Sequence, residues 1–136
     1  MKVGINLLWV RPGKNGGTES YIRNILDGLS LYGPDNQDYY LYVSKDNSES
    51  FTKYYNNKHF VKRLCNIETD SQRNRIIWEN LHLSKMGLKD KLDVWFMPVY
   101  SRPFFMSKKI HLITAIMDIQ GIHYPEYFSK ASNLFF

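Results

Sequence analysis

The spacing of apolar residues changes period several times along this chain, and each change marks an element. Residues 3–10, Val-Gly-Ile-Asn-Leu-Leu-Trp-Val, form a nearly continuous apolar run, the pattern of a strand buried on both faces. The turn Gly13-Lys14-Asn15-Gly16-Gly17 interrupts it. Thr18 stands where a helix N-cap belongs, and Tyr21, Ile22, Ile25, Leu26 and Leu29 recur at helical spacing until Gly33-Pro34 stops the pattern. Loop chemistry over residues 35–38 leads into Tyr39-Tyr40-Leu41-Tyr42-Val43, an aromatic and β-branched run of strand length. Strand, helix and strand within so few residues predict a parallel pair joined by a right-handed crossover.

The second half repeats the alternation. Residues 45–57 are polar, with room for a short helix over 51–55, and residues 60–64 read as a short strand. Ser71 can cap a long helix that runs to about Met86 and ends at Gly87. That helix carries Ile77, Leu81, Ser84 and Leu88 along one side and Arg73, Arg75, Glu79 and Lys85 mostly on others. Residues 93–97, stopped by Pro98, and residues 110–116 are almost wholly apolar, as central strands of a two-sided sheet should be. The alternation predicts an α/β fold, a Rossmann-like doubly wound and mainly parallel sheet. Pro125 marks the start of a last helix. The apolar ending at residues 133–136 suggests a domain that continues past this stretch, so residues 1–136 are expected to be one truncated unit.

Composition narrows the classes. A chain of 136 residues can bury roughly two-thirds of its unfolded surface and sustain a core of its own. The single cysteine, Cys65, has no internal disulfide partner, and no secretory pattern precedes the first strand, so a cytoplasmic setting is expected. No apolar run reaches the roughly 20 residues of a membrane span. The net charge of +5 and pI near 9.3 favour anionic partners, although the cations are scattered and read first as a solvated surface.

The candidate chemistry sits beyond the predicted strands. The glycine turn has neither dinucleotide nor Walker spacing. Gly16 and Gly17 nevertheless permit backbone to approach a ligand where a Cβ would clash, and the helix start behind them gathers unpaired N–H groups and partial positive charge. A plain strand-to-helix turn accounts for them equally well. Glu19, in the first helical turn, either stabilises the helix dipole, accepts from a sugar hydroxyl or holds the loop. Asp118 and His123 follow the strand at 110–116, where open α/β sheets place ligand groups; a turn or cap at Asp118 and aromatic packing at His123 are the plainer readings. Tyr100, Ser101 and Arg102 follow the strand at 93–97 and can recognise a polar acceptor, or simply form a proline-bounded turn. No metal-ligand spacing, nucleophile elbow, helix-turn-helix, RNP or zinc pattern is present, so neither a metal nor nucleic acid is expected.

In order, Lys2 to Asn6, Gly16-Gly17-Thr18-Glu19 with Tyr21 and Arg23-Asn24, Arg75-Ile76-Ile77-Trp78-Glu79, Asp93-Val94 with Met97-Pro98, and Asp118 with His123-Tyr124-Pro125-Glu126 resemble the N-terminal half of retaining GT-B glycosyltransferases of family 4. The resemblance implies a Rossmann-like acceptor-binding domain facing a second, donor-binding domain that lies outside this chain. Its substrates would be a nucleotide sugar and a polysaccharide or lipid-linked acceptor, with no other cofactor. By the same resemblance Gly16 and Gly17, with Glu19 behind them and Thr18 between, approach the donor diphosphate and acceptor; Tyr100, Ser101, Arg102 and His123, from their places beyond the strands, are the acceptor-binding candidates, and Asp118 is the catalytic candidate, expected to orient the substrate. Many relatives carry His-Asp where this chain has Met117-Asp118. A thioether cannot donate a hydrogen bond or carry a proton, so this polypeptide alone is not expected to turn over. A different class of reading is a non-catalytic basic module that docks on polyanion or on the inner face of an anionic membrane.

Overall fold

A computed structural model describes residues 1–69, 71–99, 102–117 and 123. Five strands, β1 (Lys2–Asn6), β2 (Asp38–Val43), β3 (Phe60–Leu64), β4 (Val94–Met97) and β5 (His111–Thr114), lie in the order β3-β2-β1-β4-β5. All four neighbouring pairs are parallel. Helix α1 (Gly17–Tyr32) connects β1 to β2, a 3₁₀ helix (Ser48–Tyr54) connects β2 to β3, and helix α2 (Gln72–Asp90) connects β3 to β4. The fold is therefore the α/β, Rossmann-like, doubly wound parallel sheet that the alternation predicts.

Strand alternation sends side chains into two cores. Ile5, Leu41, Val43 and Phe60 pack with Ile22 and Leu26 of α1 and with Phe51 and Tyr54 of the 3₁₀ helix. Tyr40, Tyr42, Trp95 and Met97 point the other way, onto Leu83 of α2. Trp95 fixes the spacing of this second layer. A Cβ at Gly4 would stand 2.9 Å from its ring and one at Gly87 would stand 2.5 Å from its indole nitrogen, so two glycines make the slot that the indole fills.

Several boundaries differ from the sequence reading, each for a physical reason. The strand expected over residues 3–10 ends at Asn6, and residues 7–10 form a buried turn closed by Val10 N–H donating to the Leu7 carbonyl at 3.0 Å. The Asn47 amide satisfies its carbonyls, donating to Leu7 O at 2.8 Å and Val10 O at 2.9 Å. An apolar run reports burial; it does not report direction. Gly87 does not end α2, because its role is to admit Trp95; the stop is Lys91 in the left-handed conformation (φ 56°), whose N–H bonds back to Gly87 and Leu88 carbonyls. Ser71 is the N-cap as expected, accepting from Asn74 N–H at 3.4 Å. Thr18 is not the N-cap: α1 starts two residues earlier than that placement implies, with Gly16 at the N-cap position in a φ of 55°, a conformation costly for a residue with a Cβ.

Two corrections concern burial. α2 turns Arg75, Glu79, Leu83 and Gly87 inward and leaves Ile77, Leu81 and Leu88 exposed, so the apolar stripe read from its sequence faces away from the sheet. β5 spans only His111–Thr114, not 110–116. It is the outermost strand among the described residues, with Ile113 exposed, and so it is not covered on both faces there. The helix expected near Pro125 lies outside the described residues.

Candidate functional site

The strand order reverses between β1 and β4. The chain leaving β1 passes to the face covered by α1, whereas the chain leaving β4 passes to the face of α2, where Phe104 N–H donates to Asn80 Oδ1 at 2.7 Å and Ser107 N–H to Ser84 Oγ at 3.0 Å. In open α/β sheets, ligands bind in the crevice at the carboxyl ends of the strands on either side of such a reversal.

A buried polar network lies at the carboxyl end of β1. Asn6, the last residue of β1, donates from Nδ2 to Glu79 Oε1 at 3.0 Å, and Arg75 Nη1 donates to the same oxygen at 3.0 Å. Glu79 is 1% exposed and Arg75 8%. Asn6 Oδ1 accepts from Leu8 N–H at 3.1 Å, and its carbonyl accepts from the Trp9 indole at 3.0 Å. One asparagine thus ties the first turns of α2 to the chain that leaves β1. A carboxylate and a guanidinium withdrawn from water hold position strongly, because loss of either strands the other charge.

Three loops are joined as well. Arg11 Nη2 donates to the Thr69 carbonyl at 3.1 Å, and Thr69 donates from its N–H and Oγ1 to Asp46 Oδ2 at 2.5 and 3.1 Å. The segments after β1, β2 and β3 are therefore tied to one another by hydrogen bonds. Arg11 N–H also bonds to the Asn15 side chain, which closes the glycine loop on itself.

Glu19 resolves an electrostatic conflict. Its carboxylate lies at the anion-friendly start of α1 and would repel a phosphate there. Instead it turns inward, accepting from Gly13 N–H at 2.8 Å through Oε2 and from Arg23 Nε at 2.9 Å through Oε1. Arg23 goes on to Ser50, donating to its carbonyl at 3.0 Å and its Oγ at 3.2 Å. Of the roles open to Glu19 in the sequence, holding the loop is the one its contacts satisfy. No side chain caps α1, and nothing stands within 4 Å of where a Cβ at Gly16 or Gly17 would lie. The leading N–H groups of a helix have no intrahelical acceptor, so this end offers donors beside open space.

Gly16, Gly17, Thr18 and Glu19 follow one another at the start of α1. Arg102 is exposed, on the chain that runs onto α2, and His123 is exposed in helical conformation. Tyr100, Ser101 and Asp118 lie outside the described residues. Asn6, Arg75 and Glu79, named in the sequence without a role in the site, and Asn47, which pattern reading did not single out, are its structural polar residues. Asparagine inside an apolar run was one visible signal, and an Arg/Glu pair four residues apart on a helix was another.

Cys65 is no nucleophile. Burial, reinforced by the charges of Glu79 and Asp90, pushes its thiol up to about 12, and a thiol that stays protonated is inert. Tyr42 is also driven far above its usual range, by burial and then by its hydrogen bond to Asp90 at 2.5 Å. Among the described residues no group of three or more His, Cys, Asp or Glu side chains is arranged to hold a metal ion, and no helix is long and apolar enough to cross a membrane. No family model, curated protein or solved structure matches this chain.

Proposed function

We propose that this chain is the acceptor-side half of a retaining GT-B glycosyltransferase of the family 4 type, which moves a sugar from a nucleotide-sugar donor to an acceptor hydroxyl once a C-terminal donor-binding domain closes the cleft. The observation that carries this reading is the α1 start at the β1/β4 reversal: an uncapped helix end behind two open glycines, with the nearby Glu19 carboxylate already neutralised by Arg23. Such an end stabilises negative charge developing on a departing diphosphate, by aligned N–H groups and the helix dipole. Gly16 and Gly17 let the diphosphate approach the backbone.

The network of Asn6, Arg75 and Glu79 holds the end of β1 without touching substrate, since it is buried. Asp118 orients the acceptor in this proposal, with Tyr100, Ser101, Arg102 and His123 on the acceptor side. Met117 supplies no proton relay, and the donor pocket belongs to the second domain, so the chain alone binds weakly and does not turn over.

Calorimetry with UDP- and GDP-sugars tests this. The chain alone should bind at millimolar affinity or weaker, and addition of a family 4 donor domain should strengthen binding. Gly17→Val fills the open space and should weaken that reconstituted binding by at least about tenfold, roughly 1.4 kcal/mol. If the reconstituted pair neither binds nor hydrolyses any nucleotide sugar, the proposal fails.

A further inference from the structure

The outward side of α2 is the unexplained surface of this molecule. Ile77, Leu81 and Leu88 follow one another at spacings of four and seven residues and are 59%, 60% and 44% exposed, a continuous stripe on a helix. The chain between β4 and β5 runs beside that stripe, bonded to Asn80 and Ser84 one turn apart. It presents Phe104 and Phe105, 84% and 77% exposed. Five large apolar side chains facing water on adjoining elements exceed the scattered singles of an ordinary surface.

Charge identifies the occupant. Arg73, Lys85, Lys89, Arg102, Lys108 and Lys109 are exposed on the same two elements. The acidic residues of these two elements, Glu79 and Asp90, are both engaged elsewhere. Glu79 is buried against Arg75, and Asp90 is held by Arg63 and Tyr42. On these two elements, among the described residues, the face is therefore apolar and cationic, with no exposed carboxylate of its own. A second copy of this chain would bring the same cations against these cations, and repulsion disfavours that pairing. A soluble polyanion would satisfy the lysines and leave the phenylalanines in water.

We infer that this face, the outward stripe of α2 together with the Phe104-Phe105 loop, docks on the surface of an anionic lipid bilayer. The two phenyl rings and the leucines enter the headgroup boundary while the lysines and arginines meet lipid phosphates. The inference goes beyond the glycosyltransferase reading and does not depend on it.

Sedimentation with large vesicles of phosphatidylcholine, with and without 30% phosphatidylglycerol, tests it on the whole chain. Binding to the anionic vesicles should be at least about tenfold tighter than to neutral ones and should weaken in 0.5 M salt. Phe104→Ser with Phe105→Ser should lose most of that binding while circular dichroism and the melting temperature stay unchanged. Lys108→Gln with Lys109→Gln should lower it about twenty-five-fold, at roughly fivefold for each cation near the surface. Three results would overturn the inference: equal binding to neutral and anionic vesicles, heparin binding that is indifferent to the phenylalanine changes with no vesicle binding, or a dimer in the ultracentrifuge that Phe104→Ser dissolves. Pure lipid carries neither sugar donor nor acceptor, so failure here leaves the calorimetric test of the enzyme reading untouched.

Discussion

Helices α1 and α2 cover opposite faces of one parallel sheet, yet they bury different chemistry. α1 lays Ile22 and Leu26, both fully buried, onto β1 and β2, and its apolar period points at the sheet. α2 lays Arg75, Glu79, Leu83 and Gly87 onto β1 and β4 and turns its own apolar stripe to water. The difference follows from what each helix must meet. Beneath α1 lie aliphatic and aromatic side chains, for which leucine and isoleucine are the natural partners. Beneath α2 lie the polar end of β1 at Asn6 and the indole of Trp95. The first demands a charged pair, and the second demands the absence of a side chain.

Breaking the charged pair should have the largest effect. Glu79→Leu leaves the buried guanidinium of Arg75 and the Asn6 amide without their acceptor and should destabilise the fold by about 3–5 kcal/mol, measured by urea unfolding. The double change Arg75→Leu with Glu79→Met should recover much of this loss, because neither charge is then stranded. Equal losses for single and double variants would show that α2 does not depend on charge at its buried face. On the other helix, Leu26→Ala should cost about 2–5 kcal/mol by cavity formation alone, with no such rescue by a second substitution.

Alkaline titration sharpens the contrast in the α2 layer. The Cys65 thiol rises from 9.0 to about 12 on folding, so the folded chain holds this proton more tightly than the unfolded chain. That stability is complete below pH 9 and is lost progressively as the pH climbs from 9 toward 12. The loss should reach a few kcal/mol, at about 1.4 kcal/mol per pH unit. The stability of Cys65→Ala should fall less steeply over that interval, whatever its constant loss from the smaller side chain. Parallel pH curves for the two proteins would contradict the burial assigned to Cys65.

Smaller effects complete the comparison. Gly87→Ala gains helix propensity, but its methyl meets the Trp95 indole, and the clash should win by about 1–3 kcal/mol net of the gain. At the outer stripe, Ile77→Ser should change thermal stability by no more than about 0.5 kcal/mol. A loss near that of Leu26→Ala would mean that the stripe is covered in solution.

The elements themselves were legible because each depends on local chemistry. β3 falls on residues 60–64 as expected, Ser71 caps α2, and Gly33-Pro34 stops α1. The glycine loop was also visible as a place of close backbone approach. Its details were not. That Gly16, not Thr18, stands at the N-cap position of α1 and that Glu19 bonds to Gly13 and Arg23 depend on how the loop folds back over the helix.

From sequence alone come the strand and helix alternation, hence the parallel doubly wound sheet, and the position of a glycine-rich turn at the end of its first strand. Those properties follow from periodicity and turn residues, which act over a few neighbours. The tertiary structure decided which side of α2 faces inward, where β1 ends and which polar groups meet at the carboxyl end of β1. These are contacts between residues far apart in the chain: Asn6 with Glu79, Asn47 with Leu7, Trp95 with Gly87. A helix with charges on one side and leucines on the other satisfies either orientation locally. Only the buried partner it meets, a strand end needing hydrogen bonds and a ring needing space, selects between them.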